Sequence, residues 1–348
     1  MRYQNVCLET AVCTLPEEIV TTQEVEARLR SVYDRLRLPA GRLELMTGIR
    51  ERRLWALGTR VGEQSIKTAR LALERSGVDP RKIGVLVHGS VCRDYLEPAT
   101  ACGVHAGAKL AENCAVYDVS NACLGILTGA VQIANMIELG QVEAGIVVGT
   151  EDSRSLLETT IRRMNTDMTL TRQSIKPLFA SLTIGSASAA LVLTHKNISR
   201  SQHRLLGGKT LANTAFCHLC RSDEESRDGD SMNTDSETLL VQGVDTAKRL
   251  FPEFLTELGW TRDSFSRIFC HQVGKAHQKL LTDALGLDAS RDFQTLSYLG
   301  NTGSAALPSA LAIGMEEGVC QLGSQAALLG IGSGINSLML GIRFAEGG

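Results

Sequence analysis

The sequence predicts a layered α/β protein, and three observations carry that expectation. Short β-branched runs alternate with longer stretches of helical periodicity. The 348 residues are 43% hydrophobic, which supplies a sizeable core and excludes disorder as the main state. Each half of the chain also ends in apolar strands rich in Gly and Ser. The first half ends in Thr183-Ile-Gly-Ser-Ala-Ser-Ala-Ala-Leu-Val-Leu193, the second in Gly330-Ile-Gly-Ser-Gly-Ile-Asn-Ser-Leu-Met-Leu340. This suggests two related halves meeting across the polar stretch 195–230, which closes on Arg221-Ser-Asp-Glu-Glu-Ser-Arg-Asp-Gly-Asp230.

The elements follow in chain order. Thr21 and Glu24 have the three-residue spacing of a capping box, in which hydroxyl and carboxylate each satisfy the other's backbone N–H, so a helix opens near residue 22. Residues 59–76 form an amphipathic helix, and Val85 to Gly89 is a strand. The apolar run Ala115 to Val119 is a strand that enters a tight turn, with a helix of small and apolar residues beginning at Cys123. Strands follow at Gly145 to Gly149 and Ala189 to Leu193, then an amphipathic stretch from Met232 to Leu258. The last strands are Arg267 to His271 and Ala326 to Leu329.

Composition narrows the function. Thirty-six basic against 38 acidic side chains, a formal charge of -2, give no electrostatic reason for nucleic acid or an anionic membrane as main partner. No apolar run reaches the roughly 18 residues of a membrane span, and the opening MRYQNVCLET lacks a signal-peptide layout. A soluble, cytoplasmic protein is expected. Ten irregularly spaced cysteines read as free thiols of a reducing compartment. Cys217 and Cys220 form a Cys-x-x-Cys with no second ligand pair at zinc spacing, so no metal is expected. Gly330-Ile-Gly-Ser-Gly334 precedes an apolar strand rather than a helix, which argues against a dinucleotide cofactor.

Four positions can carry chemistry. Cys123, at the start of a helix, sits where the macrodipole and unpaired N–H groups favour a thiolate nucleophile; a buried, inert core cysteine is the alternative. His271, where an apolar strand stops, can activate a thiol or donate to an oxygen gaining charge, or it is a satisfied strand-end histidine. His277, in the following helix, reads as structural. Asn301, between Gly300 and Gly303, can donate to an oxyanion without titrating, or it is a turn residue. Glu97, before Pro98 in Arg93-Asp-Tyr-Leu-Glu-Pro-Ala-Thr100, is a catalytic base or a solvated loop acid. N–H groups of the loop at Ser333 and Gly334 can serve an oxyanion hole.

Taken together, Asn-Ala-Cys123-Leu, His271-Gln-Val, Gly-Asn301-Thr-Gly-Ser-Ala, the late Gly-x-Gly-Ser-Gly loop and Thr47-Gly-Ile-Arg-Glu-Arg-Arg53 resemble the thiolase superfamily, in its ketoacyl synthase III-like branch. Asn301 in place of a second His is unlike the elongating ketoacyl synthases, and the Gly330 loop lacks the second cysteine of degradative thiolases. The Glu97 segment, Tyr33-Asp-Arg-Leu and Arg52-Arg-Leu-Trp55 look most like the OleA-type enzymes, which join two fatty acyl-CoAs head to head.

The resemblance implies a five-layer αβαβα fold of two duplicated halves, residues 1–197 and 198–348, working as a homodimer. Cys123 would take the first acyl group, His271 and Asn301 would hold the second thioester's carbonyl, and N–H groups of Cys123 and the Ser333–Gly334 loop would hold the other oxyanion. Glu97 would reach the partner subunit's site and remove the α-proton. A decarboxylative reaction with a malonyl thioester is the alternative. That branch often carries a Trp and an Arg that bind CoA and carrier protein; Arg42 and Met46 stand at about those places, so acyl carrier protein is a less secure partner than acyl-CoA. Papain-like proteases share the Cys-His-Asn order but carry a different cysteine signature. A catalytically silent binding protein would not need all four residues.

Overall fold

The computed structural model describes residues 1–223 and 231–345; of the polar run Arg221–Asp230, residues 224–230 lie outside the described residues. Nine strands form one continuous sheet: β1 (Val6–Thr14), β2 (Ile83–His88), β3 (Ala115–Asp118), β4 (Ala144–Glu151), β5 (Ala187–His195), β6 (Arg204–Ala212), β7 (Arg267–Cys270), β8 (Gln325–Gly332) and β9 (Asn336–Arg343). Their order is β7-β8-β9-β6-β1-β5-β4-β2-β3. The two runs share one connectivity. The first strand of each run lies at the centre of the sheet, and the last pairs beside it antiparallel. The second lies farther out, parallel to the fourth. A third strand adds to the second as β3 in the first run and as the parallel bridge Ile268↔Asp292 in the other. The runs join at the single register pair Cys7↔Arg204.

Six helices complete the layers: α1 (Val61–Ser76), α2 (Thr100–Ala108), α3 (Gly125–Glu138), α4 (Ser236–Leu258), α5 (Lys275–Leu285) and α6 (Ala306–Glu316). Strand alternation decides what each face meets. Val85 and Val87 of β2, Phe269 of β7 and Leu328 of β8 point inward to α3 and α6, packing on Ile126, Leu127, Ile133, Ala310 and Leu311. Leu86 and Ile146 point the other way, to Ala69, Leu73 and Val104 of α1 and α2. Ile268, Leu329 and Met339 meet Leu250, Phe254 and Leu281 of α4 and α5. The layers are therefore helix, sheet, helix, sheet, helix. Each fully buried aliphatic side chain contributes about 1.5–3 kcal/mol, and the two inner helices bury such side chains against the sheet.

Two boundaries differ from the sequence expectation. The long helix starts at Ser236, because Asp235 accepts from Thr238 N at 3.1 Å as its cap, while Ser231–Thr234 pairs as a strand with Cys220–Asp223. The inner helix starts at Gly125, because Ala122 takes a left-handed φ of 44° and residues 122–124 form a tight 3-10 turn. The capping box is present: Thr21 N donates to Glu24 at 2.7 Å, and Glu24 N to Thr21 Oγ1 at 3.1 Å. Among the described residues, no helix is long and apolar enough to cross a membrane.

One contact sets the height of the Cys123 turn. Gly89, just beyond β2, and Gly125 touch backbone to backbone; a Cβ on Gly125 would lie 2.7 Å from the Gly89 carbonyl oxygen. Only two glycines allow this approach.

Candidate active site

Cys123 occupies the turn between β3 and α3, in the helix layer between the sheets. Asn121 fastens the turn on both sides: its Nδ2 donates to Thr128 at 2.9 Å, and its Oδ1 accepts from Asn336 Nδ2 at 3.0 Å. The second bond ties the turn to the far end of the glycine loop. Gly330 faces the turn, where a Cβ would lie 2.6 Å from Leu124 Cδ2; the missing side chain is what lets β8 lie against Leu124. The backbone N–H groups of Cys123 and Ser333 both favour the thiolate of Cys123. Fixed backbone donors at one place can hold developing negative charge there. The contact falls on Ser333, while Gly334 shapes the turn behind it with a φ of 137°.

The sulfur's electrostatics differ from the sequence expectation. The thiol is pushed up to about 12, first by burial and then by the charge of Glu151, against which the two N–H groups work only in part. Desolvation outweighs the helix terminus, which is itself weakened because the helix begins two residues later. Burial and Glu151 together therefore disfavour the Cys123 thiolate.

His271 follows β7. Cys270 stands in register with Leu329, and His271 N donates to Leu329 O at 3.1 Å, so His271 lies level with Gly330 and the Cys123 turn. It is buried, and burial followed by the nearby His277 lowers it to about 3. The imidazole is neutral, and its Nδ1 is buried with no partner among the described residues. Gln272 anchors the strand end by accepting from Thr295 N at 2.8 Å and donating to Phe293 O at 2.7 Å. His277, buried in the first turn of α5, is lowered to about 4 by burial.

Asn301 is held by Thr183 O at 2.9 Å and by Gly185 N at 2.9 Å. Its Oδ1 accepts from Gly303 N at 3.1 Å, which turns Nδ2 the other way as a donor. The Gly303–Ala305 turn packs on the Cys123 turn and on β4. The elements that carry Cys123, Asn301 and Ser333 thus pack on one another, with His271 level with Gly330. Glu97 does not join them: it stands on an exposed loop after β2, beside Leu96, 84% exposed, and Tyr95, 48% exposed.

Sequence reasoning missed Glu151. It ends β4, in which every residue is buried, and it is itself 6% exposed. Its carboxylate accepts from Val91 N at 3.1 Å, Cys92 N at 3.3 Å, Ser304 N at 3.3 Å and the Ser304 hydroxyl. Its carbonyl takes Trp55 Nε1 at 3.1 Å. The available signal was a carboxylate closing an apolar strand at the edge where such folds place ligands.

Comparison with known proteins places this geometry. A family model described as 3-oxoacyl-[acyl-carrier-protein] synthase III C terminal matches residues 255–343. An acyl-CoA:acyl-CoA alkyltransferase of Shewanella oneidensis is 37% identical over 99% of this chain and 100% of its own. One from Xanthomonas campestris is 33% identical over 97% of this chain and 98% of its own. Among solved structures, a cysteine-to-serine variant of Xanthomonas campestris OleA with bound lauric acid and lauroyl-CoA superposes with a TM-score of 0.93 at 32% identity, covering 98% of this chain and 100% of that one. A 3-oxoacyl-(acyl carrier protein) synthase III from Xanthomonas oryzae does so with a TM-score of 0.93 at 33% identity, over 99% and 100%. Other OleA structures carry substitutions at a glutamate and at a histidine.

Proposed function

The chain belongs to the acyl-CoA:acyl-CoA alkyltransferase family of thiolase-superfamily condensing enzymes, and from that premise we propose that it joins two fatty acyl-CoAs head to head. In the first half-reaction the Cys123 sulfur attacks an acyl-CoA, forming the acyl-cysteine thioester and releasing CoA with the thiol's proton. N–H groups of Cys123 and Ser333 stabilise the tetrahedral oxyanion. In the second, a base takes an α-proton from another acyl-CoA, and His271 and Asn301 hydrogen-bond the enolate oxygen. Its carbon attacks the acyl-cysteine carbonyl and the Cys123 thiolate leaves. The immediate product is a β-ketoacyl-CoA, whose hydrolysis gives the β-keto acid.

A neutral His271 suits this role: it can donate a hydrogen bond to the enolate but, lowered to about 3, is a poor base for the α-proton. Glu97 is our base. The single observation that carries the reading is this carboxylate on an exposed apolar loop, outside the cluster of its own chain. A malonyl donor generates its carbanion by losing CO2 and needs no such base; an unactivated acyl-CoA does. The next strand in the chain, β3, is the edge strand of the sheet, and its residues are partly or fully exposed. A second copy pairing there would bring Glu97 to its neighbour's site, so we infer a homodimer, built from halves divided at 197/198. Free thiols at all ten cysteines suit a cytoplasmic enzyme. Met46, 49% exposed, stands where carrier-protein users often have Arg, so CoA is our preferred carrier.

The alternative, decarboxylative condensation of synthase III type, has the Xanthomonas oryzae structure and the C-terminal family match in its favour. Glu97→Gln separates the two. A general base is worth about 10²–10⁴ in rate. The variant should acylate Cys123 normally, read by intact mass, while condensation from acyl-CoA alone falls by about that factor. Unchanged condensation overturns the assignment.

A further inference from the structure

The buried carboxylate of Glu151 touches both segments that the second half-reaction depends on. Val91 and Cys92, whose N–H groups it accepts at 3.1 and 3.3 Å, are the root of the loop that ends in Glu97. Ser304, which gives it both N–H and hydroxyl, belongs to the turn that fixes Asn301 through Gly303. The packing leaves no slack, since a Cβ on Gly303 would lie 3.1 Å from Glu151 Cγ. Trp55, from a different part of the chain, holds the same residue's carbonyl. A carboxylate with four donors has no acceptor capacity to spare and is costly to disturb.

We propose that Glu151 is a positioning residue for condensation: one carboxylate fixes the root of the Glu97 arm and the Asn301 turn relative to Cys123. The inference rests on the assignment of Glu97 as base. In a dimer it has a further consequence. The arm a protomer extends to its partner is anchored to the same side chain as its own Asn301 turn, so disturbing one site is felt at the other. Glu151 also acts on Cys123 through its charge, opposing the thiolate, and this provides a readout that a merely structural role would not give.

The test uses the full-length protein with Glu151→Gln, which keeps the shape and removes the charge, and Ser304→Ala, which removes one tether and keeps it. Three quantities are read: acylation of Cys123 by a long-chain acyl-CoA, condensation from that acyl-CoA alone, and alkylation of Cys123 by iodoacetamide at pH 8. For Glu151→Gln, condensation should fall at least tenfold, in kcat rather than KM, with acylation within about threefold of wild type. Alkylation should become several-fold faster, because each unit by which the thiol falls raises the thiolate fraction tenfold and lowers its nucleophilicity only about threefold. Ser304→Ala should slow condensation without speeding alkylation. Wild-type condensation in Glu151→Gln, or equal loss of acylation and condensation with unchanged alkylation, overturns the proposal. If Glu97→Gln condenses normally while Glu151→Gln still shows both effects, the error lies in the base assignment and the positioning role stands. If wild type condenses only with a malonyl thioester, the same comparison is run on that reaction, and failure of either Glu151→Gln effect there also overturns it.

Discussion

The resting state of Cys123, our proposed nucleophile, gives the sharpest quantitative expectation. With the Cys123 thiol near 12, about 3 × 10⁻⁵ of it is ionised at pH 7.5, against about 0.1 for an ordinary cysteine at 8.5. The higher basicity makes its thiolate about 30-fold more nucleophilic, taking a Brønsted slope of about 0.4–0.5. The net result is alkylation about 100-fold slower than that of a model cysteine peptide in the same tube. The assay is time-resolved iodoacetamide labelling with peptide mass spectrometry from pH 6 to 10. Cys123 labelling should rise about tenfold per pH unit throughout, with no plateau. A plateau near pH 7, or labelling faster than the standard, would show a thiolate stabilised by the helix terminus or by a protonated His271. It would refute both the neutral imidazole and the dominance of desolvation.

Three further outcomes follow from the same geometry. Gly125→Ala forces a methyl to within 2.7 Å of the Gly89 carbonyl; overpacking of this kind costs about 1–3 kcal/mol, so the melting temperature should drop by a few degrees with slower acylation, and wild-type values for both would contradict the backbone contact. Asp292, buried and raised from 3.8 to about 7 mainly by burial, favours its protonated form in the folded state, so its contribution is present below pH 4 and lost as pH rises through 7, by about 4 kcal/mol at most. Asp292→Asn should therefore gain on wild type in denaturant midpoint between pH 4 and 7, and a constant difference across that window would remove the assignment. Cys123→Ala should fold and melt as wild type yet form no covalent acyl-enzyme; covalent acylation elsewhere by substrate would displace Cys123 as nucleophile.

Much of the fold was legible because local pattern and tertiary burial agree. Val85 and Val87 alternate with Leu86 in the sequence, and in the structure the first two face the inner helices while the third faces α1 and α2. Thr21 and Glu24 cap their helix through contacts three residues apart, which a linear pattern can display. The Cys123, His271 and Asn301 segments stood out because each breaks an apolar run at a strand or helix end. Their convergence, however, depends on register across β7 and β8, which no local pattern encodes. The thiol's charge state was misjudged for the same reason: the helix terminus is local, whereas burial and Glu151 arrive from elsewhere in the chain. Glu151 escaped notice because its four donors come from residues 91, 92 and 304. In the sequence it is simply one acid after a strand.

The central claim is that two acyl-CoAs are condensed without decarboxylation. The most direct measurement is mass spectrometry of the products after incubating the pure protein with one long-chain acyl-CoA and no other substrate. The account predicts a β-keto acid of doubled chain length, or the ketone left after it loses CO2. Condensation that appears only after malonyl-CoA or a malonyl-carrier protein is added would contradict it.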